Sequence, residues 1–311
     1  MPSTRAALLD DHASALERAE GREARRVAAA YRQARAEIVE RLITQWQGAD
    51  LLTPERAASL LRQSGLLQQI DARLLQLEAE LGVNLRSIVT ASSELALEQI
   101  QRELALLPPS LRPATFAQFG TINTRMVERF VPVALGDVQL GTRSLSLQLQ
   151  RDLQAGLLQG ESFENLVIRL MATTPGTGAS VWRRGEVSAE LATRRLVITA
   201  ENASKQDALR ELNAGGEVTV QKQAVAVVGP NTTDCCLRVH GQIRDVDKPF
   251  DLTGTPRFAD QMMTPGFHWN CRSSLAMHHP AFEQPGGLTT ASMRAAANAQ
   301  LARASKGKGG A

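Results

Sequence analysis

The sequence predicts a mainly α-helical chain that ends in a small α+β or irregular C-terminal domain. Only 4% of its 311 residues are aromatic, whereas 43% are hydrophobic. Aliphatic and small side chains must therefore fill the core, which favours long helices rich in Ala and Leu over a β-sandwich. Helical periodicity extends to about residue 214, after which β-branched, Pro-rich and Gly-rich sequence follows.

The N-terminal part is predicted to contain three helices. The first covers residues 4–48, which are rich in Ala, Arg and Glu. The second begins with the Thr-Pro-Glu sequence at 53–55, where a hydroxyl N-cap precedes a proline and an acid. The third runs over about 84–107 and ends before the two prolines at 108–109.

The second helix carries an apolar seam with heptad spacing, which requires another helix against it. That helix could belong to the same chain or to a second copy. An intramolecular bundle is the commoner arrangement, so we expect the seam to be buried within the chain. The seam consists of Leu60, Leu67, Ile70, Leu74, Leu77 and Leu81.

Four further helices are predicted at 114–131, 142–158, 162–173 and 183–213 from their periodicity. The stretch 174–180 is rich in Gly and Thr but lacks the P-loop pattern, and we interpret it as a linker.

The character of the sequence changes after two glycines at 215–216. Residues 217–228 are β-branched and partly alternate, which predicts a strand. We therefore divide the chain into a helical N-terminal extension, a second helical part, a small β and loop domain with the Cys and His residues, and a basic flexible tail. These segments cover residues 1–140, 141–214, 215–285 and 286–311.

Charge and hydropathy exclude several classes of protein. The net charge of +3 is too small to mark an obligate nucleic-acid binder. No stretch approaches the roughly 18 apolar residues of a membrane span, and the first 20 residues lack the apolar segment of a secretory signal. The last 28 residues carry a charge of +4, so the tail could contact nucleic-acid phosphates.

The residues that could bind a metal through sulfur or nitrogen are concentrated in one segment of the sequence, which we call the Cys/His window. All three cysteines and four of the five histidines lie between positions 235 and 279. Cys236 and His240 form one closely spaced pair, and His268 and Cys271 form another. Two thiolates and two imidazoles can complete a tetrahedral Zn²⁺ shell with no open position, so the predicted zinc site is structural rather than catalytic.

Other interpretations of this window remain open. Cysteine is often buried without any ligand, and Cys235, His278 and His279 are competing ligands. A nuclease-like metalloenzyme would instead use polar residues of the window to hold a divalent ion and activate water. Its candidate residues are Asp234, His240, Asp245, Asp247, His268 and Asn270. No GxSxG sequence is present, and we do not expect an enzyme.

Two sequence motifs, which we call the first and the second box, lie in this window: TTDCCLRVHGQ and PGFHWNCRSSL. They resemble the phage Mu F-like head morphogenesis family, the minor head proteins of tailed phages. The strand sequence QAVAVVGPNTTD before the first box also fits the family's pattern. The resemblance covers 217–276, with a looser fit from about 142, and the first 140 residues match no family pattern. The matching positions are Thr233, Cys236, His240, Gly241, His268, Asn270, Cys271, Arg272 and Ser273.

Three positions depart from the family's pattern. The upstream helix, which is ARTE-like in the family, reads VITAENAS here and keeps Glu201 without the arginine. An extra Cys235 is present, whereas many relatives have a cysteine where Thr233 stands. Ser273 occupies the place of a further cysteine. These departures favour the Cys2His2 ligand set over a four-cysteine set.

The resemblance implies a function in head assembly or DNA packaging, as a low-copy capsid component, rather than catalysis. The expected location is the virion, at the portal vertex or capsid interior, and the host cytoplasm during assembly. The expected partners are the portal protein, the major capsid or scaffolding protein, and packaged double-stranded DNA through the basic tail, with no membrane. The alternatives are a toxin or nuclease-like metalloenzyme carried on a head-protein module, and a DNA-binding accessory protein.

Overall fold

The computed structural model is mainly helical with a small region of strands near its C-terminal end, which confirms the predicted fold class. None of its described helices is long and apolar enough to cross a membrane. The structure describes residues 5–46, 65–113, 120–159, 161, 165–168, 181–228, 232–253, 261–266, 271–282 and 290–307.

Four long helices precede the strands. They are α1 (Arg5–Trp46), α2 (Leu66–Leu104), α3 (Gly120–Leu158) and α4 (Val181–Gly215). The C-terminal part comprises β1 (Gln221–Val225), α5 (Asp234–Val239), β2 (Ile243–Asp245), β3 (Phe250–Asp251), β4 (Gln261–Met262), β5 (Ser274–His278) and α6 (Thr290–Gly307). Short 3-10 turns lie at Pro109–Leu111 and Pro280–Phe282.

The strands form two antiparallel sheets. The larger sheet has the order β2-β1-β5, with Gln223 opposite Ile243 on one side and Ala276 on the other. The smaller sheet pairs β3 with β4 and places Phe250 opposite Met262. All five residues of β5 are buried although β5 is an edge strand, so its outer backbone groups need partners other than water.

The chain forms two compact units. Unit 1 contains Met1–Gly21, Ser87–Phe130 and Arg194–Ala311, and unit 2 contains Arg22–Arg86 and Val131–Thr193. Every crossing from one unit to the other falls within one of the four long helices. Helices α1 to α4 therefore each supply residues to both units, and the four segments suggested by the sequence stay a prediction.

Unit 2 is a helical bundle with an aliphatic core. The described part of the heptad seam lies in this core, with Leu77 fully buried and Leu67 partly buried, and it packs with residues of α1 and α3. The prediction of an intramolecular seam is therefore confirmed for these residues, whereas Leu60 lies outside the described ones. The partners include Ala34, Ile38, Leu42, Leu145, Leu149 and Leu153.

Two predicted helix boundaries are wrong. The second and third predicted helices are continuous across residue 84, because the buried stripe goes on at Leu81, Leu85 and Ile88. That packing outweighs the roughly 1 kcal/mol by which Gly82 weakens a helix. The helices predicted at 114–131 and 142–158 likewise form the single helix α3 over the described residues.

The C-terminal tail is not a flexible segment throughout. Residues 290–307 form α6, and Met293 and Ala297, one helical turn apart, are buried. The predicted strand is shorter than expected, because β1 covers only Gln221–Val225. The predicted linker 174–180 lies outside the described residues, and the helix predicted at 162–173 is described only at 165–168.

Candidate functional site

The structure brings together two of the four predicted zinc ligands. Cys236 lies on α5 and Cys271 lies three residues before β5, and their Sγ atoms are 3.8 Å apart. All three cysteines are reduced thiols, and each is buried. The pair belongs to the apolar core of the strand region, beside Phe250 and Leu252.

The two thiols of this pair differ in acidity. A hydrogen bond from Cys236, together with backbone bonds at Ser273 and Gly266, lowers the pKa of Cys271 to about 5 despite its burial. The bond to Cys271 and burial both raise the pKa of Cys236. The hydrogen bond between the two sulfurs thus favours ionisation of one thiol of the pair over ionisation of both.

His240 is not directed at the thiol pair. Its Nδ1 accepts a hydrogen bond from the Ala226 backbone N–H at 2.9 Å, and its ring also bonds the backbone of Met293. Burial is the main cause that lowers the pKa of His240, so the ring is held neutral. The reason is local: α5 ends at Val239, and the chain turns through Gly241, whose φ is +78°.

The remaining candidates do not complete a metal site in the described part of the chain. His268 and Asn270 lie outside it. Within the described ranges, no group of three or more His, Cys, Asp and Glu residues could hold a metal ion. Cys235 instead bonds the Thr233 hydroxyl at 3.0 Å, and His279 Nδ1 accepts from the Ala281 N–H at 3.0 Å.

The carboxylates of the nuclease hypothesis have other partners. Asp245 accepts a hydrogen bond from Gln221 at 2.8 Å, and Asp247 forms an ion pair with Arg210 at 2.8 Å. Asp234 occupies the first turn of α5, where an acid favours the helix. The metalloenzyme hypothesis therefore gains no ligand cluster from these described residues.

A buried charge cluster lies under β5, and sequence reasoning missed it. It consists of His12, Glu201, Lys205 and Ser274, of which Glu201 and Lys205 are fully buried. Glu201 Oε1 lies 2.5 Å from Lys205 Nζ and 2.7 Å from His12 Nε2. Lys205 also donates to Ser274 Oγ at 2.8 Å, and Ser274 in turn donates to Glu201 at 3.0 Å.

The charge states of the cluster follow from its contacts. Burial alone would raise the pKa of Glu201, but the charge of Lys205 and the hydrogen bond from His12 lower it to about 2. Burial, and then the charge of Lys205, lower the pKa of His12, which Glu201 only partly offsets. Lys205 and His12 thus both contact the ionised carboxylate of Glu201, and Lys205 Nζ also lies 2.9 Å from His12 Nε2.

Side chains from three helices pair with the outer backbone edge of β5. Asn202 accepts from Leu275 N at 2.6 Å and donates to Ser273 O at 3.1 Å, and Lys205 donates to Leu275 O at 2.8 Å. We call the four side chains that bond this edge the β5 network: Arg5, Glu103, Asn202 and Lys205.

The β5 network continues at the far end of the strand. Met277 N donates to Glu103 Oε2 at 2.5 Å, and Arg5 donates to Met277 O at 2.7 Å. Burial raises the pKa of Glu103, which the charge of Arg5 partly offsets. An edge strand is open to pairing with another chain, and here buried polar side chains take the place of a neighbouring strand.

Two cavities flank His12 within unit 1. A polar one of about 420 Å³ lies between α1 and α2 and is lined by Ser14, Arg18 and Arg102 among others. A more apolar one of about 330 Å³ lies between α1, the end of β1 and α6, and Ser274 and His240 belong to its wall. His12 therefore belongs to the lining of both cavities.

The scarcity of lysine is the sequence feature that could have pointed to the charge cluster. The first 204 residues contain no lysine, and Lys205 and Lys222 are fully buried. Lys222 donates to Met263 O at 2.7 Å, and burial is the main cause that lowers its pKa to about 8. Glu201 and Lys205 are also spaced for an ion pair on one helical face.

Comparisons with known proteins returned no match among protein families, curated proteins or solved structures.

Proposed function

We propose that this chain is a minor head protein of a tailed phage, which acts at the portal or the inner capsid in head assembly or DNA packaging. The proposal starts from the resemblance of two sequence boxes to the Mu F-like family. One structural observation supports it: the three family-like sequence pieces meet around β5. Glu201 of the upstream helix bonds Ser274, and the first box contacts the second through Cys236 and Cys271.

The packing around β5 supports an assembly function over catalysis. Asn202 and Lys205 are used to bond backbone groups of β5, and Glu201 neutralises Lys205. Buried polar groups that are satisfied in this way specify a fold. A rigid module of this kind suits a structural component that presents other surfaces to its partners.

Unit 2 offers such a surface for the portal protein. Helix α3 exposes Val133, Leu140 and Leu147 at heptad spacing, and Leu140 is 68% exposed. Heptad spacing of aliphatic residues is the pattern of a helix-to-helix seam. We place the portal contact on this stripe, because partner binding would remove it from water.

Packaged DNA is the second proposed partner. Of the four basic residues after position 283, Arg294 donates to the Arg238 carbonyl at 2.9 Å and is used within the fold. We propose Arg303, Lys306 and Lys308, the other three, as the phosphate contacts. Phosphate contacts of this kind carry no sequence specificity.

The test is the composition of particles made by a phage that encodes this chain. We expect mass spectrometry to find the chain at low copy number in purified procapsids and virions. Absence from both particles would refute the proposal.

A variant pair tests the portal contact separately. Leu140→Glu should lower incorporation into procapsids while the purified chain keeps its melting temperature. Val83→Glu is the matched control, because Val83 is 73% exposed on α2 of the same unit. Equal incorporation of the two variants would exclude the α3 stripe as the contact.

A further inference from the structure

We propose that Cys236 and Cys271 are a site of reversible oxidation, at which a peroxide converts the two thiols into an intramolecular disulfide. Their Sγ atoms are 3.8 Å apart, and both residues are 4% exposed. A disulfide bond is about 2.05 Å long, so the two sulfurs need to approach by roughly 1.8 Å. Both partners lie within the described residues, and the site needs no third side chain.

The third cysteine, Cys235, is not expected to take part in this disulfide. Cys235 is also buried, but its sulfur contacts the Thr233 hydroxyl at 3.0 Å. Consecutive helical residues point in directions about 100° apart, so Cys235 and Cys236 face different neighbours. The geometry therefore selects one of the three possible pairings of the cysteines.

The oxidation balances with hydrogen peroxide as the two-electron oxidant. One thiol sulfur attacks a peroxide oxygen, the O–O bond breaks, and a sulfenic acid and one water form. The second thiol sulfur then attacks the sulfenic sulfur, the S–O bond breaks, and the disulfide and a second water form. The two thiol hydrogens leave in the waters, and a small dithiol or monothiol reverses the reaction.

The crosslink would join α5 to the start of β5. The two cysteines are 35 positions apart, and β2, β3 and β4 lie between them. Closing a loop of this length shifts the folding equilibrium by roughly 600-fold according to the loop-entropy relation. Oxidation would therefore stabilise the strand region without adding a ligand.

A zinc ion is the competing occupant of the same thiols. Two sulfurs 3.8 Å apart fit Zn–S bonds of about 2.3 Å with an S–Zn–S angle of about 111°. The described residues add no third ligand, since His240 bonds the backbone of Ala226 and Met293. His268, a predicted third ligand, lies outside the described residues, so the experiment must separate the disulfide from bound zinc.

The experiment uses the full-length protein, purified with a reductant and then treated with hydrogen peroxide. We expect a mass loss of two hydrogens, two fewer thiols alkylated after unfolding, and a crosslinked peptide pair that contains Cys236 and Cys271. The melting temperature should rise and should return to its initial value after reduction. The Cys235→Ala variant is the matched control and should behave like the unchanged chain.

Three results would overturn the proposal. The first is stoichiometric zinc in the purified protein, measured by elemental analysis, with thiols that peroxide does not oxidise. The second is a crosslink that involves Cys235 or a second copy of the chain. The third is the full number of alkylated thiols after peroxide treatment. Because the measurement is made on the unchanged chain, no outcome depends on whether a cysteine variant folds.

Discussion

Removal of the Lys205 charge is the most direct test of the charge cluster. In Lys205→Met the side chain keeps a similar length, but Glu201 remains buried without its cation. Both residues are fully buried, and their charged atoms are 2.5 Å apart. Breaking a buried ion pair from one side costs about 3–5 kcal/mol. We expect this loss in the free energy of unfolding, measured by urea titration with circular dichroism.

A second substitution shows whether the uncompensated charge is the cause. In Lys205→Met with Glu201→Gln, the charge is gone and the amide oxygen can still accept from His12. We expect the double variant to regain at least about 1.5 kcal/mol relative to Lys205→Met, because no buried carboxylate is left unpaired.

The matched control is an exposed ion pair with the same helical spacing. Arg102 and Glu98 lie four residues apart on α2 and are 54% and 53% exposed. Arg102→Met should cost less than about 1 kcal/mol. A cost below about 1 kcal/mol for Lys205→Met, or no recovery in the double variant, would show that the cluster does not stabilise the fold in this way.

Three further predictions concern acid, packing and DNA. Burial and Lys205 lower the pKa of His12, and Glu201 has a pKa of about 2, so the unfolded chain binds protons more readily than the native one. The free energy of unfolding should therefore fall as the pH drops below about 6.5, and fall further below about 4.5. In urea titrations at a series of pH values, His12→Gln should reduce the loss that begins at about pH 6.5. Leu77→Ala should lower the free energy of unfolding by about 2–5 kcal/mol. Leu75→Ala is the control and should change it little, because Leu75 is 64% exposed. Similar losses in the two variants would argue against the described bundle core. Deletion of residues 303–311 should lower the slope of log K against log salt for double-stranded DNA by about 0.9 for each phosphate that the tail neutralises, and an unchanged slope would exclude the tail from DNA binding.

The long helices were predictable because their apolar periodicity continues through residues that are unfavourable in a helix. The prediction of a separate helix from about residue 84 did not take into account that the apolar stripe continues through Leu81, Leu85 and Ile88. The error in the tail has the opposite origin. Its charge and small residues suggested disorder, although Met293 and Ala297 are spaced to bury one face of a helix.

The candidate site was only half predictable for a similar reason. The sequence analysis grouped Cys236 with Cys271, and the Sγ atoms of these residues lie 3.8 Å apart. The spacing of Cys236 and His240 would place both on one helical face, but α5 ends before His240. The charge cluster could not be found by spacing at all, because His12 and Glu201 are 189 positions apart and meet only through the tertiary fold.

The β5 network also has a consequence for the order of events during synthesis. Arg5 is synthesised before its acceptor, the Met277 carbonyl, which follows it by 272 residues. At about 5–20 residues per second, the interval is roughly 15–55 s. During this time the Arg5 side chain lacks the Met277 carbonyl as its acceptor, and a chain that stops before β5 cannot supply it. A chain without β5 is therefore expected to leave this part of the fold incomplete, and incompletely folded chains are substrates for cellular proteolysis.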